Sequence, residues 1–206
     1  MMIGTLVAIQ RYPVKSLRGE SLEETPIGAD GLPGDRAAAY VVTAGHARVG
    51  KTYRGKENDR LHLVDADLAV RDLAGNVQLE RRDGQRFFDD APVSLLVDRW
   101  LDGLNAHVGY CVEPQRFRPN LVIAAAPEFA QDERALEGRT LALGTVTLQV
   151  RAPIKRCVVT TYDPQGGPSD PRILQYVAQR RDNVMGLYCD VVVPGIVCVG
   201  DSLTSQ

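Results

Sequence analysis

Four short polar clusters interrupt a largely apolar chain, and they hold the side chains best suited to chemistry. The first is Tyr12-Pro13-Val14-Lys15-Ser16-Leu17-Arg18-Gly19, where Lys15 and Ser16 offer an ammonium and a hydroxyl to an oxyanion. Taken alone, it reads better as a solvated turn. The second is Gly34-Asp35-Arg36, directly before the apolar run from Ala37 to Val42. An arginine there must reach water or pair with an anion, and Asp35 is the simplest partner. In the third, Arg116-Phe117-Arg118-Pro119-Asn120, two arginines flank an aromatic ring just ahead of Leu121-Val122-Ile123. Arginine suits bidentate contact with phosphate, although an isolated ion pair explains it as well. The fourth is Ile154-Lys155-Arg156-Cys157-Val158-Val159-Thr160-Thr161-Tyr162-Asp163-Pro164. Cations beside a cysteine favour thiolate, the form that attacks or ligates a metal. The plainer reading is a buried strand cysteine with exposed basic neighbours.

Short β-strands must position these clusters. Gly4 to Arg11 alternates Leu6, Ala8 and Gln10 against Val7 and Ile9, and Ala37 to Thr43 is small and β-branched. Leu61–Leu63, Leu68–Arg71, Val77–Leu79, Leu121–Ala124, Leu141–Leu143, Val146–Ala152 and Val158–Tyr162 read as further strands. Asp190–Val193 and Ile196–Val199 close the chain around Pro194-Gly195. Many short strands with Gly/Pro punctuation predict a β-barrel or sandwich. Two helices are expected. One follows Asp89-Asp90, with Pro92 near its start and Leu96, Trp100 and Leu104 spaced by four. The other follows Ser169-Asp170-Pro171, with Ile173, Leu174, Val177 and Ala178 as its apolar stripe. The polar stretch Glu80-Arg81-Arg82-Asp83-Gly84 marks the weakest seam, dividing a module at 1–80 from a domain at 81–206 within one compact unit.

Composition narrows the function. Across 206 residues, 24 Lys+Arg oppose 26 Asp+Glu, interspersed and giving a net charge of -2, so no broad field draws the chain to nucleic acid. Aromatics at 6% argue against a base-stacking platform. The longest uncharged runs are 11 residues, about half a bilayer span, so no membrane span is expected. The opening MMIGTLVAIQRYPVK carries its first positive charge after its apolar stretch, unlike a secretory signal, and points to the cytoplasm. Cys111, Cys157, Cys189 and Cys198 form no C-x-x-C pair, and His46, His62 and His107 are scattered, which reads as core or surface histidine. Phosphate-binding, dinucleotide, zinc-protease and nucleophile-elbow motifs are missing.

Taken in order, YPVKSLRG, GDR, RFRPNLVI, RCVVTTYDP and the closing GLYCDVVVPGIVCVGDSL resemble MOSC-domain proteins with an N-terminal MOSC-associated β-barrel, the group that includes the mitochondrial amidoxime-reducing component. The resemblance covers essentially the whole chain. It implies a mainly β fold with a few helices: a MOSC-type, pyruvate-kinase-like closed β-barrel plus an N-terminal β module. It also implies a molybdenum cofactor, a molybdenum ion held by the dithiolene of a phosphate-bearing pterin. Cys157 matches the metal-binding cysteine. Lys15, Ser16, Arg36, Arg118 and Asn120 match cofactor-holding positions, and Arg156 joins them beside the cysteine. Asp163 and Tyr188 match positions next to the pocket and are counted with Cys157 as catalytic. Departures stand at Leu95-Leu96-Val97-Asp98-Arg99, where relatives offer small hydroxyls, at Lys155 in place of a hydroxyl residue, and at Gln165-Gly166-Gly167.

The activity so implied is reduction of N-hydroxylated small molecules, N–OH to N–H with loss of water. Electrons come from a separate electron-transfer protein, because no haem, flavin or iron–sulfur motif is present. Pyridoxal phosphate is not expected, since it belongs to a separate domain of cofactor sulfurases. The alternatives use the same cysteine: a persulfide carrier in cofactor sulfuration, or a protein that stores the cofactor without turnover.

Overall fold

The computed structural model describes residues 1–65, 67–84, 86–87 and 90–206. The chain runs β1 (Met2–Arg11), β2 (Glu20–Leu22), β3 (Glu24–Ile27), β4 (Ala38–Ala44), α1 (Asp67–Ala74), β5 (Gln78–Asp83), β6 (Val93–Val97) and α2 (Asp102–Val108). It continues with β7 (Leu121–Ala125), β8 (Thr140–Leu143), β9 (Val146–Lys155), α3 (Pro171–Arg180), β10 (Val184–Val193), β11 (Gly195–Cys198) and β12 (Ser202–Ser205). Seven strands close on themselves in the order β12-β8-β9-β10-β6-β7-β1, because β12 pairs with β1 as well as with β8. Closure removes the sheet edges that would otherwise invite association. β2 extends β1, β3 pairs with β11, and β4 pairs with β5 in a separate ribbon. The expected closed β-barrel with an N-terminal β module is therefore present.

Two apolar cores follow from this layout. The barrel core gathers Ile3, Leu6, Ile9, Leu95, Leu121, Leu148 and Leu187. A smaller core of Val14, Leu17, Tyr40, Val42, Tyr53, Leu61, Val70 and Leu79 lies under the β4–β5 ribbon and α1. β1 is a strand, as its alternation predicts, but a register shift between Leu6 and Ala8 changes which side chains point inward. Leu6 and Ile9 are both buried while Val7 stands exposed, the consequence of one unpaired residue in a period of two. The polar stretch 80–84 lies largely in β5, whose alternate register with β4 leaves its charged side chains in water.

Four sequence expectations are corrected. Val93-Ser94-Leu95-Leu96-Val97 is a strand rather than the start of a helix; the helical turns begin at Asp98, and Asp89 lies outside the described residues. The strand is held by β7 in parallel and β10 in antiparallel and is buried on both faces, so its apolar run is continuous and shows no strand period. Leu61–Leu63 is a 3-10 turn, residues 68–71 fall in α1, and Val158–Thr161 is another 3-10 turn. The buried side chains are Leu61 in the first, Val70 in the second and the adjacent Thr160 and Thr161 in the third, so none of the three has the every-other-residue burial of a strand. The second helix formed where it was read: Asp170 caps α3, accepting from Arg172 N at 3.0 Å, with Pro171 in its first turn; of the expected stripe Ile173 and Val177 are buried, Leu174 is half-buried and Ala178 is exposed.

Candidate functional site

A cavity of about 430 Å³ opens between the two cores. The β1 exit supplies Lys15 and Ser16, the turn before β4 supplies Arg36, and the segment before α1 supplies Arg54, Lys56 and His62. The barrel contributes Ser94, Arg116, Arg118, Asn120, Lys155, Arg156, Cys157 and Tyr188. Eight of the lining side chains are Lys or Arg, against one carboxylate, Asp90, among the described residues. The whole chain is nearly neutral, so this charge is concentrated rather than general. The structure thus brings every sequence-predicted site residue except Asp163 to the lining of one cavity.

Tyr12 organises the arginines. Its ring is buried beneath the guanidinium carbons of Arg36 and Arg118, at 4.8 and 4.1 Å from the ring centre. Burial pushes the Tyr12 phenol up, the two arginines pulling against it, so the ring stays a neutral platform. Arg36 pairs with Asp35, donates to the Arg118 carbonyl at 3.1 Å and reaches Asn120 Oδ1 at 3.4 Å. Asp35 is anchored in turn by accepting from Tyr12 N at 2.7 Å. Ser16, Arg36 and Arg118 all have positive φ, at 71°, 48° and 51°. Three left-handed non-glycine residues on one cavity wall are a cost the chain accepts where side chains must be aimed.

Arg156 is fixed as firmly. It donates through Nε to Met185 O at 2.6 Å and through Nη1 to Phe117 O at 2.9 Å. Gly186 makes room for it: φ is +87°, and a Cβ there would stand 3.0 Å from Arg156 Nη2 and 2.9 Å from Leu95 O. The Arg156 backbone is bracketed by Asn183, which accepts from its N–H at 2.9 Å and donates to its carbonyl at 3.1 Å. Cys157 follows in extended conformation, half-buried, with its carbonyl accepting from Thr160 N at 3.1 Å and Thr160 Oγ1 at 3.0 Å. Lys15 spans the gap and donates to Phe87 O at 2.7 Å.

Asn120 lines the cavity, yet its side chain mainly stitches strands together. Its Oδ1 accepts from Ser94 N at 3.0 Å and Ser94 Oγ at 2.9 Å, and its Nδ2 donates to Gln10 O at 3.1 Å. Asp163 sits behind the wall and holds Arg116 Nη2 at 3.1 Å, while Glu113 takes Arg116 Nε at 2.9 Å. Tyr188 stands in β10 opposite Ser94 of β6. The sequence reading missed Ser94, His62, Tyr162 and the Tyr12 platform. His62 stacks on Tyr162 with ring centres 5.8 Å apart and lies 2.8 Å from the Asp163 carbonyl. Burial pushes the His62 pKa down, which favours the neutral ring donating that hydrogen bond. Burial also raises the Tyr162 phenol, with Asp59 and Cys157 adding to the effect. A histidine that lines a cavity through one edge and a turn through the other leaves no sequence signature.

The donor set fits a phosphate-bearing, sulfur-chelated metal. Cations from five separate segments face the same space as one thiol. No group of three His, Cys, Asp or Glu among the described residues could hold a metal unaided. A metal at Cys157 would therefore bring its other ligands with it.

The MOSC domain model matches residues 58–204, and that of the MOSC N-terminal beta barrel domain matches residues 3–90. Mitochondrial amidoxime-reducing component 1 of Mus musculus is 32% identical over 89 residues, 43% of this chain and 25% of that protein. Mitochondrial amidoxime reducing component 2 of Bos taurus is 27% identical over 117 residues, 55% of this chain and 34% of that protein. The matched stretches span a quarter to a third of these relatives. The crystal structure of the YUAD protein from Bacillus subtilis superposes with a TM-score of 0.60 at 16% identity, covering 98% of this chain and 94% of that one, a likeness of fold.

Proposed function

This chain belongs to the MOSC-domain family, and from that premise we propose that it is a molybdenum-cofactor-dependent oxidoreductase that reduces N-hydroxylated compounds with electrons from a separate protein. The observation that carries the reading is the convergence of Cys157 with Lys15, Arg36, Arg118 and Arg156 on one cavity. Cys157 would supply the protein's thiolate ligand, a soft donor suited to a metal already held by sulfur. Arg36 and Arg118, braced on Tyr12, would hold the pterin phosphate, with Lys15 and Ser16 lining the same cavity. When bound, the cofactor supplies two-electron redox chemistry and oxygen acceptance.

The chain's own residues bind, orient and exclude water. Rigid cations cost no reorganisation when the anion arrives, because Asp35, Met185 O and Phe117 O already set their geometry. Tyr188 and Tyr162 bring phenols to the cavity wall, where they are placed to orient a polar substrate. The overall change is R–N–OH plus two electrons and two protons to R–N–H plus water. A cytoplasmic setting belongs to this reading, since Cys157 must remain a thiol to serve.

Cofactor-loaded protein, supplied with electrons from a reduced viologen, should convert an amidoxime to its amidine, one product per two electrons consumed. A folded, loaded protein that leaves every N-hydroxy compound intact while Cys157 carries a persulfide, read by mass spectrometry, overturns it in favour of sulfur carriage.

A further inference from the structure

Six of the eight cations lining the cavity are already engaged. Arg36, Arg54 and Arg116 pair with Asp35, Glu57 and Glu113/Asp163. Lys15 and Arg156 donate to main-chain carbonyls, and Arg118 lies on Tyr12. Lys56 and Lys155 differ. Both are exposed, so they stand at the rim, and neither ammonium has a hydrogen bond or ion pair to the described residues.

Their backbones are nevertheless fixed. Lys56 rides on a turn clamped by Glu57, which accepts from Arg54 N at 2.8 Å and Arg54 Nη2 at 2.7 Å. Gly55 packs that turn against the one after Cys157, where an added Cβ would meet Val159 Cγ2 at 3.2 Å. Lys155 ends β9, two residues before Cys157. Two rim lysines on separate elements, held at the backbone and with no ion pair to the described residues, leave their charge for a ligand to neutralise. Because both side chains line the cavity itself, a small molecule inside it answers this better than a protein on the outer surface.

We infer that Lys56 and Lys155 select an anionic substrate, an N-hydroxylated compound that also bears a carboxylate. This rests on the reductase reading for the N-hydroxyl end and on the rim lysines for the carboxylate end.

The test compares a carboxylate-bearing amidoxime with its neutral carboxamide isostere, using cofactor-loaded protein and the Lys56→Gln/Lys155→Gln double variant. Calorimetric binding and kcat/KM are both read, and pterin content is measured for each protein. The wild type should prefer the anion, and each lysine should contribute roughly 2- to 5-fold to that preference, the reach of one screened charge pair. The preference should shrink with added salt and vanish in the double variant. A preference that is absent, or that persists in the double variant, overturns the inference. So does a double variant that loses pterin, which would make the lysines cofactor ligands, or one that only slows electron uptake from a protein donor. Failure of the reductase reading looks different: neither compound turns over, while the binding preference and its loss in the variant are still measured.

Discussion

The Arg36 guanidinium donates to the main-chain carbonyl of Arg118 at 3.1 Å, joining residues 82 apart in sequence across one buried tyrosine ring. That bond ties the turn before β4 to the segment leading into β7, so the small core and the barrel share a rigid seam. The seam is also the wall where the proposed phosphate is held.

The Tyr12 ring should therefore matter more than its hydroxyl. Tyr12→Phe loses a 3.3 Å bond to Pro119 O and should cost about 0.5–1.5 kcal/mol in denaturant unfolding. Tyr12→Ala removes a fully buried ring and should cost about 3–5 kcal/mol, with cofactor content falling beyond any loss of folded protein. Equal cofactor retention in the two variants would show that the ring does not aim the arginines.

Asp163 should behave as a structural partner of Arg116. Arg116 is almost wholly buried, and removing one of its carboxylates leaves charge less well matched. Asp163→Asn should lower stability by about 1–3 kcal/mol, measured by urea unfolding, with specific activity per folded molecule falling little. A large loss of activity in protein of unchanged stability would return Asp163 to the reacting groups.

Asp170 gives an acid-side prediction. Arg172 beside it lowers its pKa from 3.8 to about 2. A carboxylate held low in the fold stabilises above its ordinary value, and that contribution disappears as pH falls from about 4 through about 2. Asp170→Ala, which also removes the α3 cap, should cost about 0.5–2 kcal/mol near neutrality and far less near pH 2. Thermal unfolding across that range reads the difference; a gap that stays constant with pH would contradict the assignment.

Thiol labelling separates the four cysteines. Cys189 is buried in the barrel, with its pKa pushed up to about 12, and should resist iodoacetamide in the native state. Cys198, raised by burial and by Asp201 and Glu24, should react slowly, and exposed Cys111 freely. Cys157 should label in cofactor-free protein and be protected after loading, read peptide by peptide in a mass spectrometer. Unchanged labelling of Cys157 on loading would place the cofactor elsewhere.

How much was legible in sequence depended on whether one local signal decided each element. β1 and α3 were readable because alternation and an Asp-Pro cap left no competing structure, and β4 and β7 because their small or β-branched runs are short and bounded by turn residues. β6 was not, since a strand buried on both faces has the same apolar spacing as a helix. The turns at Leu61–Leu63 and Val158–Thr161 carry β-branched or apolar residues whose geometry is imposed by tertiary contacts, which propensity does not see. In the site, the charged residues announced themselves by standing against apolar strands. Ser94, His62 and Tyr162 did not, because only the closed barrel brings β6 and the turns at 62 and 162 to the same space.

The central claim is most directly tested by molybdenum and pterin analysis of protein produced in a cofactor-competent host. Inductively coupled plasma mass spectrometry should find equimolar molybdenum in the wild type. Cys157→Ser should lose metal, because an alkoxide is a harder and far less acidic ligand. Arg118→Ala should lose pterin relative to the exposed-loop control Arg60→Ala. Folded wild type containing neither molybdenum nor pterin, or Cys157→Ser retaining both at wild-type levels, would contradict the account.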